Sequence, residues 1–388
     1  MYRETGTEVS VSTAGSEVVK AFVPYPLPPS PELEIGGDLQ ASLDRALTSL
    51  GRLDAVSTLL PEPDLFLYSY VRKEAVLSSQ IEGTQSSLSE LLLFELDQVP
   101  GTPLDDVREV SSYVAALEHG LKRVRSGFPI SNRLLREIHE ILLSTGRGRD
   151  KQPGQFRRSQ NWIGGTRPGD ATFVPPPADR VEECMADLER YIHDVGGKTP
   201  ILIKAALVHG QFETIHPFLD GNGRVGRLLI TLLLCVEGVL KEPLLYLSLY
   251  LKQHRSRYYE LLSSLRHNGN WEEWIAFFAE GVSTTAEGAA RSARLLSTMF
   301  ENDRKRAREA LGQSAGSALR VHEALMARPV ATISRLAQAT GLSIPTVGRV
   351  LEKLANLGIV FEVTGGRYRR VYAYRDYLMA LNEGTDPA

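Results

Sequence analysis

The chain has 388 residues but only two cysteines, Cys184 and Cys235. Two cysteines cannot cross-link a chain of this length, and no paired spacing indicates a zinc site. Long apolar runs are also lacking, since Glu237 and Gly238 interrupt the most apolar one at residues 228–236, far short of the roughly 20 residues of a membrane span. The first residues lack the apolar core of a signal peptide. We therefore expect a cytoplasmic protein without a membrane segment.

A strong net charge is lacking as well. The chain has 44 Lys and Arg against 47 Asp and Glu, a formal net charge of −3, so no overall basic surface indicates nucleic acid. The charge is nevertheless uneven, because residues 315–376 hold nine basic and four acidic side chains. That segment has a formal net charge of +5, which leaves −8 for the rest of the chain. The excess of basic side chains therefore lies near one end.

Apolar residues recur at helical spacing from near Asp38 to residue 310, which predicts a mainly α-helical protein. Ser87 and Glu90 have the spacing of a capping box, which predicts a helix start at that point. Length and composition shifts predict several domains. We expect four parts: a flexible tail with a proline-rich strap at residues 1–35, a helical region at 36–130, a helical core at 131–310 and a small domain at 315–388.

Residues 145–177 interrupt the helical pattern with glycines and prolines, and 154–177 within them have the place of a flap. Two strand-like pieces, Phe156–Ile163 and Thr172–Pro175, are separated by the turn-like Gly164–Asp170, which predicts a β-hairpin flap. Phe173 in the second piece either contacts a ligand or only fixes the hairpin, and the sequence leaves both open.

The most informative stretch lies at residues 216–227 and reads His-Pro-Phe-Leu-Asp-Gly-Asn-Gly-Arg-Val-Gly-Arg. Gly221, Asn222 and Gly223 allow successive backbone N–H groups to point toward one place at the start of an apolar helix, an arrangement that binds anions. Arg224 and Arg227, three residues apart, share a face at that end of the helix. Two guanidinium groups beside such a loop suit a polyphosphate.

Two further side chains of this stretch carry chemistry. Asp220 offers a hard oxygen ligand suited to Mg²⁺ shared with phosphates, and His216 is the nearby group able to accept a proton near neutral pH. Together the residues predict a nucleoside triphosphate held by loop, arginines and Mg²⁺. A hydroxyl of a second substrate then loses its proton to His216 and attacks a phosphorus.

Residues 216–227 resemble the signature of the Fic family, His-Pro-Phe-x-[Asp/Glu]-Gly-Asn-Gly-Arg-x-x-Arg, with every fixed position present. The resemblance covers about residues 36–310 and implies a Fic-type helical core with a β-hairpin flap. It also implies protein adenylylation, the transfer of AMP from ATP to a Ser, Thr or Tyr hydroxyl of a target protein, with the flap aligning the target by strand addition.

The resemblance also implies a role for each matching residue of the stretch. His216 corresponds to the general base and Asp220 to the Mg²⁺ ligand, while Phe218 anchors the core. The remaining matching residues correspond to the phosphate-binding group, namely Gly221, Asn222 and Gly223 for the α- and β-phosphates, Arg224 for the β-phosphate and Arg227 for the γ-phosphate. Downstream, Tyr258 or Tyr259 corresponds to the adenine side, although one of the two is expected to pack in the core.

A second segment, Ser78-Ser-Gln-Ile-Glu82-Gly83, resembles the family's inhibitory motif, [Ser/Thr]-x-x-x-Glu-[Gly/Asn]. Its position upstream of the core is that of Fic proteins that inhibit themselves through an N-terminal helix. A carboxylate at the end of this helix can pair bidentately with Arg227. That arginine then no longer orients the γ-phosphate, so we expect self-inhibition through Glu82.

Residues 315–376 resemble a winged helix-turn-helix. Two helical patterns at 332–340 and 343–357 flank a turn with Gly341 and the N-cap Ser343. The segments Ile359–Val363 and Tyr368–Tyr374 predict the wing. Basic and polar side chains are expected on the exposed face of the second helix and in the wing: Thr346, Arg349, Lys353, Arg367, Arg369 and Arg370. DNA and a protein partner both remain open as ligands.

The sequence therefore predicts a self-inhibited protein adenylyltransferase that uses ATP and Mg²⁺. Two alternatives stay open: an enzyme that removes AMP or transfers another nucleotide, and a DNA-binding regulator that senses nucleotide through the same pocket. His139 and His209 are interpreted as structural histidines. The target protein and a homodimeric state are not determined by the sequence.

Overall fold

A computed structural model describes residues 3–12, 18–59, 63–96, 104–194, 199–365 and 370–386. As predicted, these residues are mainly α-helical, with two small antiparallel sheets. The helices are α1 Gly37–Leu59, α2 Pro63–Ile81, α3 Leu88–Phe94, α4 Leu104–Arg125, α5 Asn132–Leu142, α6 Val181–Ile192, α7 Ile201–Ile215, α8 Asn222–Val236, α9 Ser248–Gln253, α10 Arg255–Asn268, α11 Trp271–Leu311, α12 Ala315–Ala327, α13 Ile333–Thr340, α14 Ile344–Asn356 and α15 Arg375–Asn382. The strands are β1 Gly6–Ser12, β2 Val18–Pro24, β3 Val330–Thr332, β4 Val360–Glu362 and β5 Val371–Tyr374.

The N-terminal segment corrects one prediction. Instead of a flexible tail, β1 and β2 pair as antiparallel strands, with Gly6 opposite Pro24. Valines alternate with polar residues in β1, a strand pattern with a period of two that a search for helical spacing does not detect. Buried Arg3 also fixes this segment, because its guanidinium pairs with Glu272 and donates to the carbonyl of Pro31. The proline-rich strap that follows contains no helix, as expected.

Local helix signals were predicted well. The side chain of Ser87 accepts from the Glu90 N–H, and the Glu90 carboxylate accepts from the Ser87 N–H, which confirms the capping box of α3. Ser131 caps α5 more simply, since its side chain accepts from the Leu134 N–H. The apolar face of α8 includes Leu228 and Leu232, both fully buried, so the helix behind the glycine-rich loop runs through the core.

The flap is less regular than predicted. Ile163 and Phe173 form an isolated bridge through two backbone hydrogen bonds of 2.8 and 3.1 Å, and no ladder extends from it among the described residues. Phe173 packs beside Phe22 of β2, and the Arg266 guanidinium lies 3.9 Å from the centre of its ring. Phe173 therefore fixes the flap, and the N-terminal hairpin supports it.

Residues 315–386 form the winged helix-turn-helix, apart from the residues that are not described. Gly341 adopts the left-handed conformation between α13 and α14, and Ser343 caps α14, as predicted. The sheet has the order β3-β5-β4, of which the sequence patterns did not indicate β3. Of the predicted wing arginines, Arg367 and Arg369 lie outside the described residues.

No helix in the described part of the chain is long and apolar enough to cross a membrane. Cys184 and Cys235 are both free thiols. The winged helix-turn-helix packs directly against α11, where the ring of Phe300 contacts the rings of Tyr374 and Tyr377. The two parts thus share one continuous apolar core.

Candidate nucleotide-binding site

The loop between α7 and α8 brings the predicted residues together. His216 ends α7 in the left-handed conformation, with φ 49° and ψ 61°, and this turn directs the chain toward the start of α8. The buried ring of Phe218 stacks on His139, with a centroid distance of 3.7 Å. Phe218 is thus the core anchor that the sequence predicted.

Asn222 determines the shape of this loop. Its side-chain Oδ1 accepts from the Phe218 N–H at 2.8 Å, and its Nδ2 donates to the Phe218 carbonyl at 2.9 Å. Gly221 precedes it with φ 77°, a conformation that favours glycine. The asparagine side chain therefore closes the loop, and the first backbone N–H groups of α8 point out of the helix N-terminus.

His139 connects the loop to the flap, which supports its interpretation as structural. Its Nδ1 accepts from the Gly154 N–H at 2.9 Å, and its Nε2 lies 3.1 Å from the Asp220 carbonyl oxygen. Because Nδ1 accepts, Nε2 carries the proton and donates. Burial lowers the pKa of His139 to about 4, so the imidazole is neutral at pH 7.

His216 as a whole residue is partly exposed, but its ring Nδ1 is buried and has no hydrogen-bond partner among the described residues. The Arg157 side chain donates to the His216 carbonyl at 2.9 Å and fixes the backbone at this point. Burial, together with the charges of Arg266 and Arg157, lowers the pKa of His216 to about 3. The imidazole is therefore neutral at physiological pH.

Arg224 is buried and held by an acidic residue that sequence reasoning missed. Its Nη1 lies 2.5 Å from Oε1 of Glu109 on α4, and its Nη2 lies 3.3 Å from Oδ1 of Asp220. Glu109 occupies an otherwise ordinary buried face of α4. No local signal in the sequence marks it.

Arg227 is buried against the end of α2. Its Nη2 lies 2.7 Å from Oε1 of Glu82, and its Nε donates to the Ser78 hydroxyl at 2.8 Å. The predicted pairing of Glu82 with Arg227 is present, but through one guanidinium nitrogen instead of two, because Ser78 accepts from Nε. Although burial opposes it, the charge of Glu82 raises the pKa of Arg227 above its ordinary value.

The carboxylate of Glu82 also covers the glycine-rich loop. A methyl group on Gly223 would overlap Glu82 Oε1 and approach Arg227 Nη1 to 2.9 Å. Glycine at this position therefore permits the close approach. Gly83 then ends the segment with φ 96°. In this structure a carboxylate occupies the place where the helix N-terminus favours an anion.

The two tyrosines of α10 differ in position. Tyr258 is 1% exposed, and its hydroxyl lies 2.9 Å from Nε2 of buried His209. Tyr259 is 41% exposed. The expectation that one of the pair packs in the core is confirmed for Tyr258, and the predicted contact with a base remains a prediction for Tyr259.

A second buried carboxylate, Glu213, was also missed. Glu213 lies one helical turn before His216, and burial raises its pKa to about 7 despite the charges of Arg227 and Arg266. The Arg266 side chain donates to the Glu213 carbonyl at 3.1 Å. The pocket thus contains more buried charge than the motif alone indicates.

No group of three or more His, Cys, Asp or Glu side chains suited to a metal occurs among the described residues. The carboxylate of Asp220 is nevertheless 39% exposed beside Arg224. A single accessible carboxylate fits a Mg²⁺ ion whose other ligands are phosphate oxygens and water. It does not fit a metal site made by the protein alone.

Comparison with family models agrees with this geometry. Residues 40–122 match the Fic/DOC family N-terminal domain, and residues 129–234 match the Fic/DOC family domain. The chain carries the two domains of the Fic/DOC family. Residues 316–360 match a winged helix-turn-helix DNA-binding domain. Both resemblances identified in the sequence are therefore confirmed.

Individual relatives are similar to part of the chain. A protein adenylyltransferase Fic from Drosophila sechellia is 29% identical over 260 residues, or 64% of this chain and 49% of that protein. The chain thus spans about half the length of the curated relatives it matches. A Fic family protein from Desulfovibrio desulfuricans G20 has a similar structure, with a TM-score of 0.58 and 20% identity over 88% of this chain and 97% of the other.

A second structure supports the same fold. It is a Fic domain containing signaling protein from Bacteroides thetaiotaomicron VPI-5482, with a TM-score of 0.52 and 18% identity over 68% of this chain and 97% of the other. At these identities the two structures establish the fold alone. The two Fic/DOC matches run from α1 to α8, and the winged helix-turn-helix match begins in α12.

Proposed function

We propose that this Fic/DOC chain is a nucleotidyltransferase that moves AMP from ATP to a Ser, Thr or Tyr hydroxyl of a protein, including itself. The observation that supports this proposal most directly is the position of two buried arginines. Arg224 and Arg227 both lie in the first turns of α8, whose N-terminus is close to His216 in the chain. Buried guanidinium groups beside unpaired backbone donors favour a polyphosphate. Curated relatives that match 64% of this chain are named protein adenylyltransferase Fic, which supports this assignment.

The proposed reaction uses each group once. His216 accepts the proton of the target hydroxyl, the hydroxyl oxygen bonds to the α-phosphorus, and the bond to the β-phosphate oxygen breaks to release pyrophosphate. Arg224 and Arg227 bind the β- and γ-phosphates and stabilise the departing charge. Mg²⁺, when bound at Asp220, neutralises phosphate charge. Tyr259 is the proposed contact on the adenine side.

Self-inhibition is the second part of the proposal. Glu82 pairs with Arg227 and covers Gly223, so its carboxylate competes with the triphosphate for the same donors. A nucleotide that enters without displacing Glu82 finds Arg227 engaged and cannot place its γ-phosphate there. Residues Ser78, Glu82 and Gly83 then form an inhibitory motif at the end of α2.

Labelled ATP tests the reaction. The Glu82→Gly protein is incubated with Mg²⁺ and ATP labelled either at the α- or at the γ-phosphate. Transfer of AMP predicts covalent label from the α position only. Label from the γ position, or none from either, contradicts the proposal. Parallel incubations with GTP, CTP and UTP distinguish AMP from other nucleotides, and chase of labelled protein with wild-type enzyme detects removal of AMP.

DNA binding is a second candidate function for the C-terminal part. The match of residues 316–360 to a DNA-binding winged helix-turn-helix supports it, as do the exposed Arg349 and Lys353 on α14. A duplex DNA shift assay across salt concentrations tests it, because phosphate contacts make affinity fall steeply with salt. Binding that ignores salt favours the protein-docking alternative.

A further inference from the structure

Glu109 occupies an unusual position for a buried acidic residue. Both Glu109 and Arg224 have side chains that are only 2–3% exposed. One Glu109 oxygen accepts from Arg224 at 2.5 Å, and the other accepts from Nε of Arg147 at 3.1 Å. Both carboxylate oxygens are therefore engaged, which fixes the carboxylate against α8 from a helix that is 115 residues earlier in the chain.

The Glu109 contact leaves much of the Arg224 guanidinium unused. Nη2 makes a longer contact of 3.3 Å to Asp220, which belongs to the glycine-rich loop. Nε is buried and has no hydrogen-bond partner among the described residues. A buried donor without a partner is unfavourable, so its presence calls for an acceptor that arrives later. The contact to Asp220 shows that this side of the guanidinium lies toward the loop.

Stability alone is a weak reason for this pair. The cost of removing two charges from water can equal or exceed their attraction, so a buried ion pair adds little net stability. Holding one guanidinium orientation is a use that the geometry does support, because Arg has five donors in a rigid fork. If Glu109 occupies one nitrogen, the direction of the remaining donors is determined.

We propose that Glu109 is a positioning residue that directs the free donors of Arg224 toward the β-phosphate of the bound nucleotide. This role rests on the proposed function. It predicts a specific pattern of affinities. Loss of Glu109 weakens nucleotides that possess a β-phosphate and leaves AMP binding unchanged, because AMP makes no contact with Arg224.

Calorimetry with AMP, ADP and ATP tests the role in the full chain carrying Glu82→Gly. Glu109→Gln is expected to weaken ADP and ATP about tenfold and AMP less than twofold. Glu109→Asp, which keeps the charge, is expected to lie between parent and Gln variant, and it provides the readout if Glu109→Gln does not fold. Glu137→Gln is the control, since Glu137 is paired with Arg123 on another surface.

Two results overturn the role in different ways. Equal loss of AMP and ADP affinity, or unchanged ADP affinity in both Glu109 variants, shows that Glu109 does not act through the β-phosphate. If the parent protein, which carries Glu82→Gly alone, binds ADP no more tightly than AMP, the proposed phosphate site is refuted. The proposed role of Glu109 is then refuted as well. The parent titrations therefore separate the two failures.

A separate observation concerns the segment 382–386 at the end of the winged helix-turn-helix, which is called here the C-terminal segment. It lies against α2, the helix that ends in the inhibitory motif. Gln80 Nε2 donates to the Thr385 carbonyl at 2.8 Å, and Lys73 donates to the Glu383 carbonyl at 2.8 Å. Lys252 joins both partners, since it donates to Gln80 Oε1 and to the Asp386 carbonyl.

These contacts are built into the interior. Gln80 lies inside the inhibitory motif and is 5% exposed, and Thr385 is 1% exposed. Just before the C-terminal segment, the hydroxyls of Tyr377 on α15 and Ser69 on α2 lie 2.9 Å apart. One face of α2 is thus held by residues that are continuous with the wing, while its end holds Arg227.

We infer that the C-terminal segment holds α2 in the inhibitory position, so that a ligand which displaces the winged helix-turn-helix releases Glu82 from Arg227. This inference also rests on the proposed function. It differs from inhibition by Glu82 alone, because it makes the contacts of Lys73 and Lys252 part of the inhibition. Both lysines lie outside the phosphate-binding loop.

The test uses Lys73→Met with Lys252→Met in the full chain. Self-labelling from α-labelled ATP is expected to rise at least threefold, and hydrogen exchange of residues 73–82 is expected to accelerate. In the Glu82→Gly background the same pair should add nothing, since inhibition is already lost. Lys204→Met is the control, because Lys204 on α7 pairs with Glu237 at the end of α8.

Unchanged labelling and exchange in the double variant overturn the inference. An increase that persists in full on top of Glu82→Gly also overturns it, because the contacts then act by another route. If Glu82→Gly itself yields no label, the proposed function fails. Faster hydrogen exchange of residues 73–82 with unchanged self-labelling would mean that Glu82 still pairs with Arg227. That result would also contradict the inference.

Discussion

The carboxylate of Glu82 lies 2.7 Å from a guanidinium nitrogen of Arg227, across 145 residues of sequence. The same arginine donates to the backbone carbonyl of Ser78 at 3.0 Å. The end of α2 and the start of α8 are therefore joined through one buried cation. Because that cation is the proposed γ-phosphate ligand, inhibition and catalysis compete for a single side chain.

Removing the Glu82 carboxylate is expected to activate the enzyme. Glu82→Gly should raise self-labelling from α-labelled ATP by at least tenfold, because Arg227 becomes free for the γ-phosphate. Glu82→Gln, which keeps the shape but loses the charge, should give an intermediate rate. Glu82 follows the last helical residue of α2, so glycine there costs little helix stability. An additional Arg227→Ala should cancel the gain, and equal labelling in wild type and Glu82→Gly would contradict the mechanism.

Ser78→Ala tests the second half of the arginine contact. Loss of the hydroxyl removes the acceptor for Arg227 Nε and weakens the inhibitory pose, so self-labelling should rise a few-fold, less than in Glu82→Gly. Ser79→Ala is a matched control, since Ser79 lies next in α2 and is equally buried, and its hydroxyl has no hydrogen-bond partner in the described part of the chain. Equal effects of the two substitutions would assign the result to helix packing.

His216→Ala should separate chemistry from binding. In the Glu82→Gly background, transfer is expected to fall at least a hundredfold, while ATP affinity measured by calorimetry changes less than threefold, since the imidazole acts on the hydroxyl and not on the triphosphate. His267→Ala, at an exposed position on α10, serves as the control. A parallel loss of ATP affinity would argue against the role of His216 as the base.

The sequence predicted those features that depend on neighbouring residues. The capping box of Ser87 and Glu90 is a local arrangement, and so is the loop of residues 216–227, whose types and spacing determine how the backbone turns. The pairing of Glu82 with Arg227 spans a long separation, but its inference came from a resemblance to a family. Its single-nitrogen geometry did not follow, because Ser78 competes for the same guanidinium.

Features without a local signal were missed. Glu109 contacts Arg224 only when α4 packs against α8. No sequence pattern indicates which residue will pair with a buried glutamate in an amphipathic helix. The ion pair of Arg3 with Glu272 has the same character, since it joins residues that are 269 positions apart in the sequence. The N-terminal hairpin was missed for another reason, because its valine alternation was present but short.

Glu74 provides a pH-dependent test of the packing of α2. Its carboxylate accepts from both the hydroxyl and the N–H of Ser248, and burial raises its pKa to about 7 despite those bonds. A carboxyl whose folded pKa is raised stabilises the fold below its unfolded pKa, and this contribution is lost as pH rises through the folded value. The native state should therefore lose stability from this group between about pH 4.5 and 7.

Glu74→Gln removes that dependence. Relative to the parent, the variant should gain up to about 3 kcal/mol in free energy of unfolding between pH 5 and pH 8. Denaturant unfolding at the two pH values measures the change, and any constant cost of the amide cancels in the comparison. Glu118→Gln, at an exposed site on α4, is the control. A difference between parent and variant that does not vary with pH would show that Glu74 does not titrate in this range.

Arg349 tests whether α14 binds DNA. Its side chain is exposed on the second helix of the helix-turn-helix, where a phosphate contact releases a counterion from the duplex. Arg349→Ala should weaken duplex binding and reduce the slope of log affinity against log salt by about one. Arg308→Ala, exposed on α11 outside the domain, should leave the slope unchanged. If the two variants have the same salt slope, α14 does not contact phosphate. The excess of basic side chains in residues 315–376 would then favour a protein partner instead.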